Sequence, residues 1–173
     1  KKNILNLYRN FKKYWKGPMG LHAHDNINNA LKNSLALEKE GIEWIDSTIT
    51  GMGRGPGNTK SEDIVKSFKQ NFEYSNFKNF KNYINKNFIK LKKKYKWGTN
   101  NYYKAAAKFK IHPSYVQTLL TDKRFKKYDK KFLINNLKKK KTSKFELNKI
   151  FLAINDDQKK YENNYKIFNK QKK

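Results

Sequence analysis

Glycines divide the first part of this chain into short segments of contrasting pattern. Seven of the eight glycines lie between Gly17 and Gly57. Two short runs, residues 19–24 and 42–49, are predicted to form strands, and the first of them is expected to be buried. Apolar residues at helical spacing fill residues 3–16 and the interval between the two runs. Because strands that alternate with helices form parallel βαβ units, this part of the chain is predicted to be α/β.

Local signals mark where the predicted helices begin and end. Gly17-Pro18 ends the first helix, and Asn26 or Asn28 is expected to cap the second. Gly41 follows the last turn of that second helix, where glycine readily takes a positive φ. Ser61-Glu62-Asp63 supplies a cap and an acidic first turn for a third helix.

The composition changes at about residue 75. Residues 1–75 carry 12 Lys+Arg against 8 Asp+Glu, whereas residues 76–173 carry 29 against 6. We expect a lysine-rich connector over residues 76–100, with a helix or a loosely packed segment at 71–95, and a polar tail over 156–173. Between the connector and the tail, residues 101–155 are predicted to form a helical domain. Its expected helices are residues 101–110, 114–121, 130–141 and 145–154.

The strong positive charge does not by itself identify a nucleic-acid partner. The net charge is +27, yet 38 of the 41 cationic side chains are lysine. Nucleic-acid readers depend on arginine for bidentate base contacts, so a compositional bias of the genome is the favoured explanation. The chain has no cysteine, which excludes disulfides and thiolate metal sites. It shows neither a membrane-length apolar run nor a signal peptide, so a cytoplasmic location is expected.

His22-Ala23-His24 is the strongest candidate for a chemical site. Side chains two residues apart on a strand point to the same side, so both imidazoles can reach one ion. The alternative is that one histidine caps the strand end and the other is a satisfied core residue.

A glycine-rich loop runs from Gly51 to Asn58. Its spacing fails both the dinucleotide fingerprint and the Walker pattern. What remains is a loop whose backbone amides, at Gly53, Gly55 and Gly57, can approach an anionic substrate or the water around a metal. A flexible turn is the alternative.

In combination these motifs resemble the metal-dependent aldolase/lyase barrels, the HMG-CoA lyase-like or pyruvate carboxyltransferase family. That family includes 4-hydroxy-2-oxovalerate aldolases, hydroxymethylglutaryl-CoA lyases and homocitrate synthases, and the aldolase branch is the most similar. The resemblance covers roughly residues 1–70. It is carried by Gly20-Leu21-His22-Ala23-His24-Asp25-Asn26, Ala30-Leu31-Lys32-Asn33-Ser34, Gly41-Ile42-Glu43-Trp44-Ile45-Asp46-Ser47-Thr48, Gly51-Met52-Gly53-Arg54-Gly55-Pro56-Gly57-Asn58 and Glu62. Residues 101–120 are similar to the helical C-terminal segment of aldolase-like members.

The resemblance implies a metal site. By the family pattern His22 and His24 are ligands of a divalent ion, Mn²⁺ or Mg²⁺ in the first place and Zn²⁺ or Co²⁺ otherwise, and Asn58 lies at or near that ion. Asp25 and Asn26 are candidates for groups that orient the ligands. For Asp46 the favoured interpretation is a structural carboxylate at a strand end.

The resemblance also implies that the chain is part of a larger fold. The family places an Asp ligand and a catalytic Arg at the first barrel strand, and nothing before His22 supplies that strand, so the catalytic residues stay unidentified. A complete (β/α)₈ barrel takes about 250 residues. We therefore expect the C-terminal portion of a TIM barrel followed by a basic, all-helical extension, inactive by itself.

The leading functional hypothesis is an aldolase that converts a 4-hydroxy-2-oxo acid into pyruvate and an aldehyde. The alternatives are an acyl-CoA-dependent condensing enzyme or lyase of the same superfamily, an inactive fragment, and a helix-turn-helix module. In that module Ser114, Gln117 and Thr118 would face a DNA groove. Expected partners are a small 2-oxo acid and a second copy or partner subunit at the helical C-terminal region; a membrane is excluded and nucleic acid is disfavoured.

Overall fold

A computed structural model of the chain describes residues 2–68 and 74–156. The chain divides into two compact units, of which the first ends at Asn100 and the second begins at Asn101. The predicted connector of residues 76–100 therefore belongs to the first unit. The sequence-based domain limits stay a prediction, and residues 157–173 of the predicted tail lie outside the described residues.

The first unit contains the predicted βαβ arrangement. Strands β1 (Gly20–His22) and β2 (Trp44–Asp46) pair in parallel, with His22 opposite Asp46. Helix α2 (Ala30–Glu38) connects them. The α/β class is confirmed for this unit. Its other helices are α1 (Lys2–Tyr14), α3 (Ser61–Ser67) and α4 (Tyr74–Tyr95).

The ends of α2 confirm one local prediction and correct another. Gly41 has a φ of 89°, and the next amide, that of Ile42, donates to Leu37 O at 3.1 Å, which closes the helix as predicted. The expected cap from Asn26 or Asn28 is wrong. The side chain that accepts a bond from the first turn is Asp25, whose Oδ1 lies 3.0 Å from the Ala30 amide nitrogen.

The core of the first unit lies on one side of the strand pair. Tyr8, Leu37 and Ile42 form its buried centre. The partly buried side chains against it are Ile4, Leu5, Met19, Leu21 and Ile45. The opposite side of the strands is exposed, including Trp44 at 53%. The prediction of a buried strand over residues 19–24 is therefore wrong for the exposed face of β1.

The described part of the second unit is helical. Its helices are α5 (Asn101–Lys108), α6 (Pro113–Thr121), α7 (Lys130–Leu137) and α8 (residues 148–156). Their apolar faces meet in one core, in which the largest fully buried side chains are Tyr115, Phe125, Leu119, Leu133, Ile134, Leu137 and Ile150. Throughout residues 2–68 and 74–156, no helix combines the length and apolarity that crossing a membrane requires.

Candidate metal site and glycine loop

The parallel pairing of β1 with β2 gives His22 its partner. Because His22 and Asp46 lie opposite each other in the register, their side chains leave the sheet on the same face. His22 Nδ1 lies 3.1 Å from Asp46 Oδ2. Asp46 therefore contacts the first candidate ligand, and the choice between a structural and an orienting role for this carboxylate stays a prediction.

His24 is oriented by the end of the glycine loop. The two chain segments approach through an isolated antiparallel bridge between His24 and Asn58. His24 Nδ1 lies 2.9 Å from Asn58 Oδ1, while Asn58 Nδ2 donates to Met52 O at 3.2 Å. The second bond fixes which end of the amide faces the imidazole, so His24 Nδ1 is the donor and Asn58 the acceptor.

The two imidazoles lie side by side on one face, as the His-x-His spacing predicts. Their centroids are 5.1 Å apart and their planes nearly perpendicular, at 83°. The hydrogen bonds of both rings in the described residues go through Nδ1. With Nδ1 as donor, each Nε2 presents a lone pair. Metal-bound histidines typically have this arrangement, so the donor set fits a divalent ion.

Within the described residues, Asp25 and Asn26, the predicted orienting residues, form hydrogen bonds with other parts of the first unit and not with the histidine rings. Asp25 caps α2, and Asn26 O accepts from Thr99 Oγ1 at 2.8 Å. Neither side chain has a described contact with the histidines, whose hydrogen-bond partners are Asp46 and Asn58. Across the described ranges, no three His, Cys, Asp or Glu side chains are grouped to hold a metal ion. The roles of Asn58 as a ligand and of Asp25 and Asn26 as orienting groups stay predictions.

The glycine loop is tightly closed on itself. A Cβ added at Gly57 would lie 2.4 Å from Gly51 O, and one added at Gly53 would lie 2.7 Å from Asn58 Nδ2. Gly55 and Gly57 have φ values of 64° and 79°. Gly53 and Gly57 therefore lie at points of close packing next to Asn58, and Gly55 contributes a positive φ. The binding of an anion by their amides stays a prediction.

Thr50, just before this loop, is a residue that sequence reasoning missed. It is 3% exposed and has a φ of 54°, a left-handed conformation that β-branched residues rarely adopt. Its amide donates to Glu62 Oε2 at 2.9 Å, and its carbonyl accepts from Lys92 Nζ at 3.0 Å. Trp97 Nε1 lies 3.1 Å from its hydroxyl. The only sequence feature that hints at this cluster is Trp97, an isolated tryptophan in a polar, lysine-rich segment.

A small polar cleft borders this cluster. Its volume is about 120 Å³. Thr50, Asn58, Lys60, Lys92 and Trp97 are among its lining residues. Burial, followed by the nearby charge of Lys60, lowers the pKa of Lys92. The cleft places positive charge beside the loop that holds Asn58.

The predicted DNA-reading residues lie on α6. Ser114, Gln117 and Thr118 are half-buried, and Gln117 Oε1 accepts from Tyr103 Oη at 2.9 Å. The opposite face of α6 lies in the core of the second unit. The preference for a packing hairpin over a DNA reader stays a prediction.

Part of the chain is similar to a known protein family. Residues 1–84 match the sequence profile of the family described as HMGL-like. We call this matched range, residues 1–84, the HMGL-like segment. It contains both strands, both histidines and the whole glycine loop, so the resemblance inferred from the motifs is confirmed.

Curated relatives of the HMGL-like segment carry aldolase and synthase names. A 4-hydroxy-2-oxovalerate aldolase of Brevibacillus brevis is 42% identical over 48 residues, 28% of this chain and 14% of that protein. One from Geobacillus genomosp. 3 is 44% identical over 54 residues, 31% of this chain and 16% of that protein. Homocitrate synthase AksA of Methanopyrus kandleri is 36% identical over 53 residues, 31% of this chain and 13% of that protein. The chain thus matches less than a fifth of each relative.

A solved structure extends the similarity beyond the HMGL-like segment. The N-terminal domain of a proposed aldolase from Bacteroides vulgatus superposes with a TM-score of 0.60 at 35% identity. The match covers 71% of this chain and 41% of that one. More of the chain is therefore similar to this domain than the HMGL-like segment alone.

Proposed function

We propose that this chain is part of a divalent-metal-dependent aldolase, in which His22 and His24 bind the metal through Nε2. The observation that carries the proposal is the pair of Nδ1 hydrogen bonds, to Asp46 at 3.1 Å and to Asn58 at 2.9 Å. Each bond selects the tautomer with a free Nε2 lone pair on the shared face. Mn²⁺ or Mg²⁺ is the expected ion, with Zn²⁺ or Co²⁺ as alternatives.

The proposed fold is the C-terminal portion of a (β/α)₈ barrel with a basic helical extension. Two short parallel strands with an exposed face are an unusual arrangement, since parallel sheets are normally covered on both faces. Further strands at the edges of β1 and β2 would complete such a barrel. A carboxylate and a cationic group from that remainder would then complete the site beside His22 and His24.

In this proposal the residues of this chain bind the metal ion and orient its histidine ligands. A divalent ion held by His22 and His24 would supply Lewis-acid polarisation of the carbonyl of a 2-oxo acid. Asp46 steadies the His22 ring and holds its proton on Nδ1. Asn58 does the same for His24 with a neutral amide oxygen. The closed glycine loop keeps Asn58 in place, and the amides of Gly53 and Gly55 are proposed to face the substrate carboxylate.

The proposed reaction is the cleavage of a 4-hydroxy-2-oxo acid into pyruvate and an aldehyde. Its support is the sequence identity to 4-hydroxy-2-oxovalerate aldolases, which is 42% over 48 residues in one relative and 44% over 54 residues in another. The similarity to homocitrate synthase AksA supports a second candidate, an acyl-CoA-dependent condensation or lyase reaction at the same metal. We further propose that the second unit forms the contact with a second copy or a partner subunit.

The test uses the full-length protein that contains this chain. We expect pyruvate release from 4-hydroxy-2-oxovalerate that a chelator abolishes and added Mn²⁺ restores. H22A and H24A should each remove most of the metal and the activity. The matched control is H112N, since His112 caps α6 through its Nδ1 and asparagine is also a good cap. Full metal content in the H22A/H24A double variant would overturn the proposal, and acetyl-CoA-dependent turnover without pyruvate release would favour the second candidate.

A further inference from the structure

Thr50 has a conformation that its own chemistry disfavours. Its φ and ψ are 54° and 19°, and it is almost completely buried. For a β-branched residue this left-handed conformation is a genuine outlier. Such a backbone persists only where surrounding contacts hold it in place, and these outliers cluster at functional sites.

Three separate parts of the first unit hold Thr50. Its backbone amide donates a hydrogen bond to Glu62 Oε2 of α3 at 2.9 Å. Its carbonyl oxygen accepts from Lys92 Nζ of α4 at 3.0 Å and from Trp97 Nε1 at 3.3 Å. The same indole nitrogen lies 3.1 Å from the threonine hydroxyl. The amide nitrogen and the carbonyl oxygen of Thr50 are therefore both hydrogen-bonded to side chains at least 12 residues away in sequence.

The backbone of Thr50 is linked to the His24 ring through Gly51 and Asn58. Gly51 follows Thr50, and its carbonyl accepts from the Asn58 amide at 3.2 Å. The space around this carbonyl is so tight that Gly57 cannot carry a side chain without a collision. Asn58 then accepts the hydrogen bond of His24 Nδ1. A change in the Thr50 backbone would displace Gly51, Asn58 and the bond that selects the His24 tautomer.

We propose that Lys92 and Trp97 are positioning residues, which hold Thr50 in its left-handed conformation and thereby set the tautomer and orientation of His24. Both residues lie beyond the HMGL-like segment, which ends at residue 84. The segment after the family match thus regulates the geometry of the site within it. The inference rests on the proposed function only for the role of His24 as a metal ligand.

The test measures the tautomer of His24 in metal-free protein. Nitrogen chemical shifts of ¹⁵N-labelled histidine report which ring nitrogen carries the proton, at about pH 8, well above the ordinary imidazole pKa of about 6.5. We expect wild-type His24 to be mainly protonated on Nδ1. W97F should reduce that fraction by about twofold or more, because the loop loses the donor that holds Thr50. K92M should also reduce the fraction of His24 that is protonated on Nδ1. K92R, which keeps a cationic donor, should retain the wild-type fraction.

The matched control is W15F. Trp15 Nε1 also donates to a backbone carbonyl, that of Pro18, at 2.9 Å in the same unit, but has no described contact with the loop. It should leave the His24 tautomer unchanged. T50G supplies a second check, because glycine takes a positive φ freely and so needs less support. In a T50G background the effect of W97F should shrink.

The outcomes separate the two proposals. An unchanged His24 tautomer in both W97F and K92M, or an equal effect of W15F, would overturn the inference whether or not the chain binds metal. A change of the His24 tautomer in W97F but not in W15F would support the inference. If the full-length wild-type protein then binds no metal, only the proposed function fails.

Discussion

At the scale of single residues, two glycines share a backbone conformation but not their surroundings. Gly41 has a φ of 89° and open space where a side chain would lie, whereas Gly57 has a φ of 79° and Gly51 O at 2.4 Å from an added Cβ. We expect G41A to cost about 1 kcal/mol of unfolding free energy, the ordinary penalty for a left-handed alanine. G57A should cost clearly more, because backbone cannot move aside as a flexible side chain can.

Tryptophan fluorescence during urea unfolding can measure this difference. All three tryptophans, Trp15, Trp44 and Trp97, lie in the first unit, so the signal reports that unit alone. Equal destabilisation by G41A and G57A would show that the loop is not closed as described.

Tyr103 gives the second unit a dependence on alkaline pH. Burial raises its pKa to about 12. Since the folded pKa exceeds the ordinary tyrosine value of about 10, the unit should lose stability progressively between about pH 10 and pH 12. Below that window the group contributes its full stabilisation. Relative to wild type, Y103F should therefore be least stable below about pH 10 and gain as the pH rises through the window.

Circular dichroism during thermal unfolding can follow this difference. Other groups titrate in the same range in both proteins, so only the difference between wild type and Y103F is informative. A difference that stays constant with pH would contradict the assigned shift.

At the scale of secondary-structure elements, α6 is where the DNA-reading alternative is tested. Gln117 accepts a hydrogen bond from Tyr103, and the other two candidate DNA-reading residues, Ser114 and Thr118, are only half-exposed. We expect the chain to bind unrelated duplexes with similar weak affinity and a steep loss with salt, because lysines bind phosphates by charge alone. Fluorescence anisotropy at near-physiological salt measures this. Discrimination of about a thousandfold between sequences would favour the helix-turn-helix hypothesis instead.

The elements themselves could be predicted, because their signals are local. The βαβ order, the glycine that closes α2 and the helices of the second unit all depend on patterns within a few residues. The bond of His22 to Asp46 could only be suspected, since register decides which strand residues lie opposite each other. The cluster around Thr50 could not be predicted. Its bonds join Thr50 to Lys92 and Trp97, which lie 42 and 47 residues away.

At the scale of the whole molecule, the proposed metal site is incomplete within the described residues. The described residues bring two imidazoles together without a third His, Cys, Asp or Glu ligand. We therefore expect residues 1–173 alone to release no pyruvate from 4-hydroxy-2-oxovalerate, even with excess Mn²⁺. A coupled lactate dehydrogenase assay measures this. Robust metal-dependent release by the isolated chain would show that the site is already complete.

The most direct test of the central claim is a zinc titration of ¹⁵N-histidine-labelled chain. Zinc is diamagnetic, so the ring nitrogen signals remain observable while it binds. If His22 and His24 are the ligands, their Nε2 resonances should move together, their Nδ1 nitrogens should stay protonated, and His112 should not change. Binding through Nδ1, or equal responses of all three histidines, would contradict the account.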